Sequence, residues 1–178
     1  CDFHFSTSMG KKEAMVTALC KELELRKKEF TGEQVATIYF GGGTPSVLKT
    51  EEIVQLINAV HEHYNVVDYP EITLEANPDD LSEEKILQLA ASPINRLSIG
   101  IQSFFEEDLK LMNRAHNALE AENCLKLAST HFDNISIDLI YGMPNMTLER
   151  WKQNIKKALG FCIPHISSYA LTVEPKTA

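Results

Sequence analysis

The stretch VATIYFGGGTPSVL, residues 35–48, decides how the rest of the chain is read. A run of β-branched and aromatic residues, Val35 to Phe40, has the composition of a strand. It ends in Gly41-Gly42-Gly43-Thr44-Pro45. Three successive glycines give up side-chain packing and add entropy to the unfolded chain, so a strand gains no stability by ending this way. Two explanations remain open: a tight turn that needs positive φ, or a ligand whose polar end lies against bare backbone.

Four further strand-like runs follow: EITLEA from Glu71, RLSIGIQ from Arg96, ISIDLIY from Ile135 and HISSYAL from His165. Helical periodicity separates them, over 51–64 with Thr50 as N-cap, 83–91 behind Ser82, 106–112, 118–130, and 148–159 between Thr147 and Gly160. Another helix is expected across KKEAMVTALCKELELRKKE, before the first strand. Strands alternating with helices are βα units, which require right-handed crossovers and a parallel sheet. No linker or break in composition divides the chain, so residues 1–178 are expected to form one domain.

Within the strands, polar and apolar residues alternate. Ile72, Leu74 and Ala76 fall on one face against Thr73, Glu75 and Asn77; Leu97, Ile99 and Ile101 oppose Ser98, Gly100 and Gln102; Ile135, Ile137 and Leu139 oppose Ser136 and Asp138. A sheet covered by helices on both sides would be apolar on both. This pattern predicts a curved, barrel-like sheet, with Ile72, Ile99 and Ile137 toward the helices and Glu75, Gln102 and Asp138 on one concave polar surface. Ligands of parallel α/β folds also bind at the C-terminal strand ends, where Gly41 to Pro45, Asn77-Pro78, Gln102-Ser103, Gly142-Met143-Pro144 and Tyr169 stand.

Composition narrows the function. At 178 residues with 44% hydrophobic residues the chain can bury a core, and its net charge of −8 argues against a general nucleic-acid surface, which needs clustered cations. No apolar run reaches the roughly 20 residues of a membrane span, and the first residues lack a signal-peptide core, so a cytoplasmic location is expected. Cys1, Cys20, Cys124 and Cys162 match neither a zinc ribbon nor a CxxC pair. Cys20 and Cys124 read as core thiols. The glycine loop lacks the Lys-Ser/Thr of a P-loop and is not GxGxxG. Acceptors at Glu75 and Asp138, the amide of Gln102 and the cation of Arg114 together suit a zwitterion, such as an amino acid with something attached. Arg114 could instead pair with Glu106 or Asp108.

Cys1-Asp2-Phe3, GGGTP, EANPDDL, GIQSF, NRAH and SIDLIYGMP stand in an order and spacing that resembles the radical S-adenosylmethionine (SAM) family. The resemblance covers essentially the whole chain. It is strongest to the branch that holds oxygen-independent coproporphyrinogen III oxidase and the HemW-type haem chaperones. It implies a partial parallel (β/α)6 barrel, a [4Fe-4S] cluster on a CxxxCxxC loop, and SAM chelating the unique iron. Cys1 matches only the third of those cysteines. The expectation is therefore a chain that begins inside the motif, lacks the first strand and the C-terminal region, and alone holds no stable cluster.

By the same resemblance Gly42, Gly43 and Thr44 would contact the methionyl group of SAM, Glu75 and Gln102 its polar atoms near the ribose, Arg114 and Asp138 its carboxylate or amine, and Ala170 the adenosine. In some members part of this set serves a second SAM. An intact relative would cleave SAM reductively to a 5′-deoxyadenosyl radical, drawing on an electron-donor protein. The oxidase reading adds oxidative decarboxylation of porphyrinogen propionates; the chaperone reading adds haem as a ligand for delivery. The oxidase pattern has a further cysteine two residues after the third ligand, where this chain has Phe3. That departure and NRAH bring it closer to the chaperones. His116 matches an Arg-x-His pattern of the family, yet a lone histidine is more often a packed or surface residue than a ligand.

Overall fold

In the computed structural model, residues 8–172 are described. Five strands, β1 (Val35–Phe40), β2 (Val66–Ala76), β3 (Arg96–Gln102), β4 (Ile135–Tyr141) and β5 (His165–Ala170), pair in sequence order, and every pairing is parallel. The sheet curls into a half-barrel. Between consecutive strands run α2 (Thr50–His63), α3 (Glu83–Ala90), α4 (Glu106–Leu111) with α5 (Ala118–Ala128), and α6 (Leu148–Gly160); α1 (Lys12–Arg26) precedes β1.

The alternation of residues sets which face the helices cover. Ile72 is 2% exposed and Ile99 and Ile137 are 0%, in one core with Leu74, Leu97, Ile53, Ile57 and Leu125. Each such side chain contributes roughly 1.5–3 kcal/mol on burial. The expected face assignment holds on all three central strands.

Two helix ends differ from expectation. Lys49, extended at φ −65° and ψ 150°, is the N-cap of α2, and its N–H donates to the Glu52 carboxylate at 2.7 Å. Thr50 is already helical; its hydroxyl turns toward α3 and donates to Gln88 at 3.3 Å. Gly160 is the last residue of α6 rather than the one beyond it, and the left-handed residue that follows is Cys162, at φ 54°. Ser82 and Thr147 cap α3 and α6 as expected, accepting from the N–H groups of Lys85 and Arg150.

The end of β3 is fastened by a buried polar knot. Ser103 Oγ donates to Asp108 Oδ2 at 2.7 Å, Asn154 Nδ2 donates to Ser103 Oγ at 3.1 Å, and the Phe104 N–H donates to Asn154 Oδ1 at 2.8 Å. Arg150 closes it from α6 with Nη1 3.1 Å from Asp108 Oδ1. Ser103 and Asn154 are 0% exposed, so each of these groups depends on the others for hydrogen bonds. Asn154→Ala would strand the Phe104 N–H and loosen Ser103; we expect it to cost about 2–4 kcal/mol in urea unfolding with an unchanged m-value. A loss below about 1 kcal/mol would mean that water replaces the amide.

Candidate functional site on the polar face

The glycine loop has two different reasons for its composition. A Cβ on Gly41 would stand 2.7 Å from the Tyr39 ring and 3.2 Å from the Glu75 carboxyl carbon, so that position must be bare. Gly42 and Gly43 have φ of 74° and 59° and open space around them, so there the need is conformational. The structure accounts for the glycines by the turn and the close approach: the turn brings the Gly42 N–H to Glu75 Oε2 at 3.1 Å, while Tyr39 OH donates to Glu75 Oε1 at 2.8 Å. Thr44 starts a short 3-10 turn, Pro45–Val47, from which Ser46 donates to Asp80 at 2.6 Å and ties this loop to the one after β2.

Strand register assembles the remaining groups. Glu75, Ser98, Ser136 and His165 pair at one level across β2 to β5, and Asp138 pairs with Ser167 on the same face higher up. Arg114, after α4, reaches back so that Nη2 donates to Asn77 Oδ1 at 2.6 Å and to the Gly100 carbonyl at 3.4 Å. It does not pair with the acids near it in sequence: Glu106 takes Lys110, and Asp108 takes Arg150. Gly100 makes this approach possible, since a Cβ there would lie 2.8 Å from Gln102 Nε2 and 3.4 Å from Arg114 Nη2. Tyr169 OH stands 3.5 Å from Gln102 Oε1.

Gly42, Glu75, Gln102, Arg114 and Asp138 therefore gather around one concave surface, with Gly43 and Thr44 on its rim loop. Ala170 stands apart at the end of β5, where its Cβ lies 3.9 Å from the position of a Cβ on Gly142. Cys1, the expected metal ligand, lies outside the described residues. Among the described residues no group of three or more His, Cys, Asp or Glu side chains could hold a metal ion, and no helix is long and apolar enough to cross a membrane. Cys124 is buried and its thiol is pushed up to about 12 by that burial, while Cys20 is partly buried against the core.

The electrostatics of this face are unbalanced. Burial, and next the charge of Glu75, raise the Asp138 carboxyl above its ordinary value; a hydrogen bond from Ser167, with His165 and Arg114, offsets only part of this. Burial, then Asp138, also raises the Tyr169 phenol. Glu75 and Asp138 share this face with the guanidinium of Arg114, whose Nε is buried with no hydrogen-bond partner among the described residues, and with that of Arg96, which meets Thr73 and His165. A ligand with an ammonium for Asp138 and a carboxylate for Arg114 complements this set. A concavity of about 1090 Å³ lies elsewhere, between α1, α2 and α3, with Cys20, Lys21, Gln55 and Asn58 among its walls.

Residues 1–158 match the radical SAM superfamily. A haem chaperone HemW of Lactococcus lactis is 38% identical over 99% of this chain and 46% of its own length, and that of Escherichia coli is 35% identical over 99% and 48%. The chain spans about half the length of the curated relatives it matches. Among solved structures, the radical SAM enzyme coproporphyrinogen III oxidase (HemN) of Escherichia coli superposes with a TM-score of 0.87 at 28% identity, over 98% of this chain and 41% of that one.

The raised carboxyl sets a pH-dependent test. Since Asp138 holds its proton more tightly folded than unfolded, stability falls as pH rises from the unfolded value of 3.8 through the raised one. Asp138→Asn should therefore unfold at higher urea than the parent near pH 7, with the gap closing as the acid range is reached. A variant less stable at neutral pH would show that a cation already balances the carboxylate.

Proposed function

The chain belongs to the radical SAM superfamily, whose membership implies a [4Fe-4S] cluster and SAM, and from that premise we propose that it is the SAM-binding core of a haem chaperone-like protein. Residues 1–178 form one radical SAM domain in this reading. The observation that carries it is the polar face, where Asp138 and Glu75 stand with the guanidinium of Arg114. Gly42, Gly43 and Thr44 would border the methionyl group, Arg114 would take its carboxylate and Asp138 its ammonium. Glu75 and Gln102 would meet polar atoms near the ribose, and Ala170 the adenosine. When bound, the cluster and SAM supply one-electron reductive chemistry, for which a reduced electron-donor protein is the required partner. The side chains on the page bind and orient: Tyr39 and the Gly42 N–H fix Glu75 from two sides, and Asn77 fixes Arg114.

Delivery of haem, rather than decarboxylation, is favoured by Phe3 in the place of the oxidase cysteine and by the names of the relatives at 35–38% identity. The similarity to the oxidase structure, at 28%, supports the alternative. Free thiols at Cys20, Cys124 and Cys162 suit a reducing compartment, and we place the protein in the cytoplasm.

The test uses the full-length protein, reconstituted anaerobically. Arg114→Ala should weaken SAM binding by about 1.5–3 kcal/mol, some 10- to 150-fold, as expected for loss of a charged hydrogen bond, and leave haem binding nearly intact. With reductant and coproporphyrinogen III, no vinyl-bearing product should accumulate, while haem binding saturates. Product at more than trace turnover without saturable haem binding would make the protein an oxidase. Unchanged SAM affinity in Arg114→Ala would remove the polar face as the SAM site.

A further inference from the structure

Gln102 has φ 66°, a left-handed conformation that is uncommon for a residue other than glycine, asparagine or aspartate. The Ser103 N–H donates to the Ile101 carbonyl at 2.8 Å across it, so residues 101–103 form a γ-turn of the rare, strained hand. The β3–β4 register slips here, with Ile99 opposite Ile137 but Gln102 opposite Leu139. Such a conformation costs on the order of 1–3 kcal/mol and persists only where its surroundings fix it. The polar knot of Ser103, Asp108 and Asn154 fixes the turn on its far side.

On the near side stands His116. It is 2% exposed and its Nε2 lies 3.1 Å from the Ile101 carbonyl, the same oxygen that closes the turn. A carbonyl only accepts, so Nε2 carries the proton and Nδ1 does not. Nδ1 is buried without a hydrogen-bond partner and faces Asp79 Oδ1 at 3.6 Å, beyond bonding distance. Burial, the largest influence, lowers the imidazole below its ordinary value and keeps this neutral tautomer. His116 holds a donor at the Ile101 carbonyl.

We propose that His116 is a positioning residue, which clamps the Ile101 carbonyl so that the left-handed Gln102 presents its side-chain amide to the polar face. The proposal rests on the reading of that face as the SAM site, since that is what gives the amide its purpose. Released from the clamp, Gln102 would relax toward a negative φ, and the change in backbone dihedral would swing its side chain so that the amide leaves the place set by Gly100 and Tyr169.

Two variants of the full-length protein separate donor from bulk. His116→Gln keeps an amide N–H near the position of Nε2; His116→Phe keeps the ring and loses the donor, with His116→Leu in reserve should the larger ring fail to fold. Hydrogen exchange at the Ser103 amide, compared with the Ile72 amide held by Asn95, reports on the turn with no ligand present. Exchange at Ser103 should rise about tenfold relative to Ile72 in His116→Phe and stay within roughly threefold of the parent in His116→Gln. SAM affinity should fall about tenfold in His116→Phe when Gln102 is present, and hardly further when the substitution is made in Gln102→Ala, because the two then act as one unit. Ser103 exchange unchanged in His116→Phe, or raised equally in His116→Gln, overturns the clamp. A loosened turn, with SAM affinity indifferent to both His116→Phe and Gln102→Ala, upholds the clamp and overturns the reading of the face.

Discussion

A strand with helices on one side only has to satisfy two environments at successive residues, and every other feature of this molecule follows from that constraint. The outward positions, Ile72, Leu74, Leu97, Ile99, Ile135 and Ile137, are almost wholly buried beneath the helices. The inward positions are then left to Tyr39, Glu75, Ser98, Asp138, Ser167 and Tyr169, whose polar groups need water, one another or a ligand. A flat sheet would expose that face evenly. The curl instead brings groups from β1 to β5 toward a common centre, so that burial and the charge of Glu75, distant in sequence, raise the proton affinity of Asp138.

That convergence works against stability. Asp138 and Glu75 are held on one partly desolvated surface, and the unliganded fold carries the strain of their repulsion. Sites commonly show this arrangement, because the same imbalance becomes binding energy when a complementary charge arrives. The fixed contacts around it serve orientation. Tyr39 and the Gly42 N–H hold both oxygens of Glu75, and Asn77 holds one arm of Arg114.

The sequence revealed the strands and the two faces because a two-residue period is local information, and Ile72, Glu75, Ile99 and Asp138 all lie where that period put them. The parallel order followed from the helices between strands. What stayed hidden depended on contacts across the chain. Nothing in GIQSF says that Gly100 is bare because Arg114 and Gln102 need its space, or that Gln102 is left-handed, since a register slip is set by the neighbouring strand. Thr50 was expected at the cap by residue type, and the Glu52 carboxylate, which seats Lys49 there, decided otherwise. Tyr39 was missed, although it alternates with Gly41 and could have been placed on the polar face beside Glu75 from that spacing alone.

The strained end of β3 links these levels. A strand that continued in regular geometry past Ile101 would carry Gln102 and Ser103 to opposite faces with no means of fixing either. The slip and the γ-turn let one short segment serve both sides of the sheet. Ser103 enters the buried knot beneath α6, and Gln102 reaches the polar face beside Tyr169. The knot is what makes the turn tolerable: with Asp108 and Asn154 committed to Ser103 and Phe104, and Arg150 to Asp108, relaxing Gln102 would break several buried hydrogen bonds to relieve one strained dihedral. The stability of the helical side of the molecule thus holds in place a conformation that only the polar side uses.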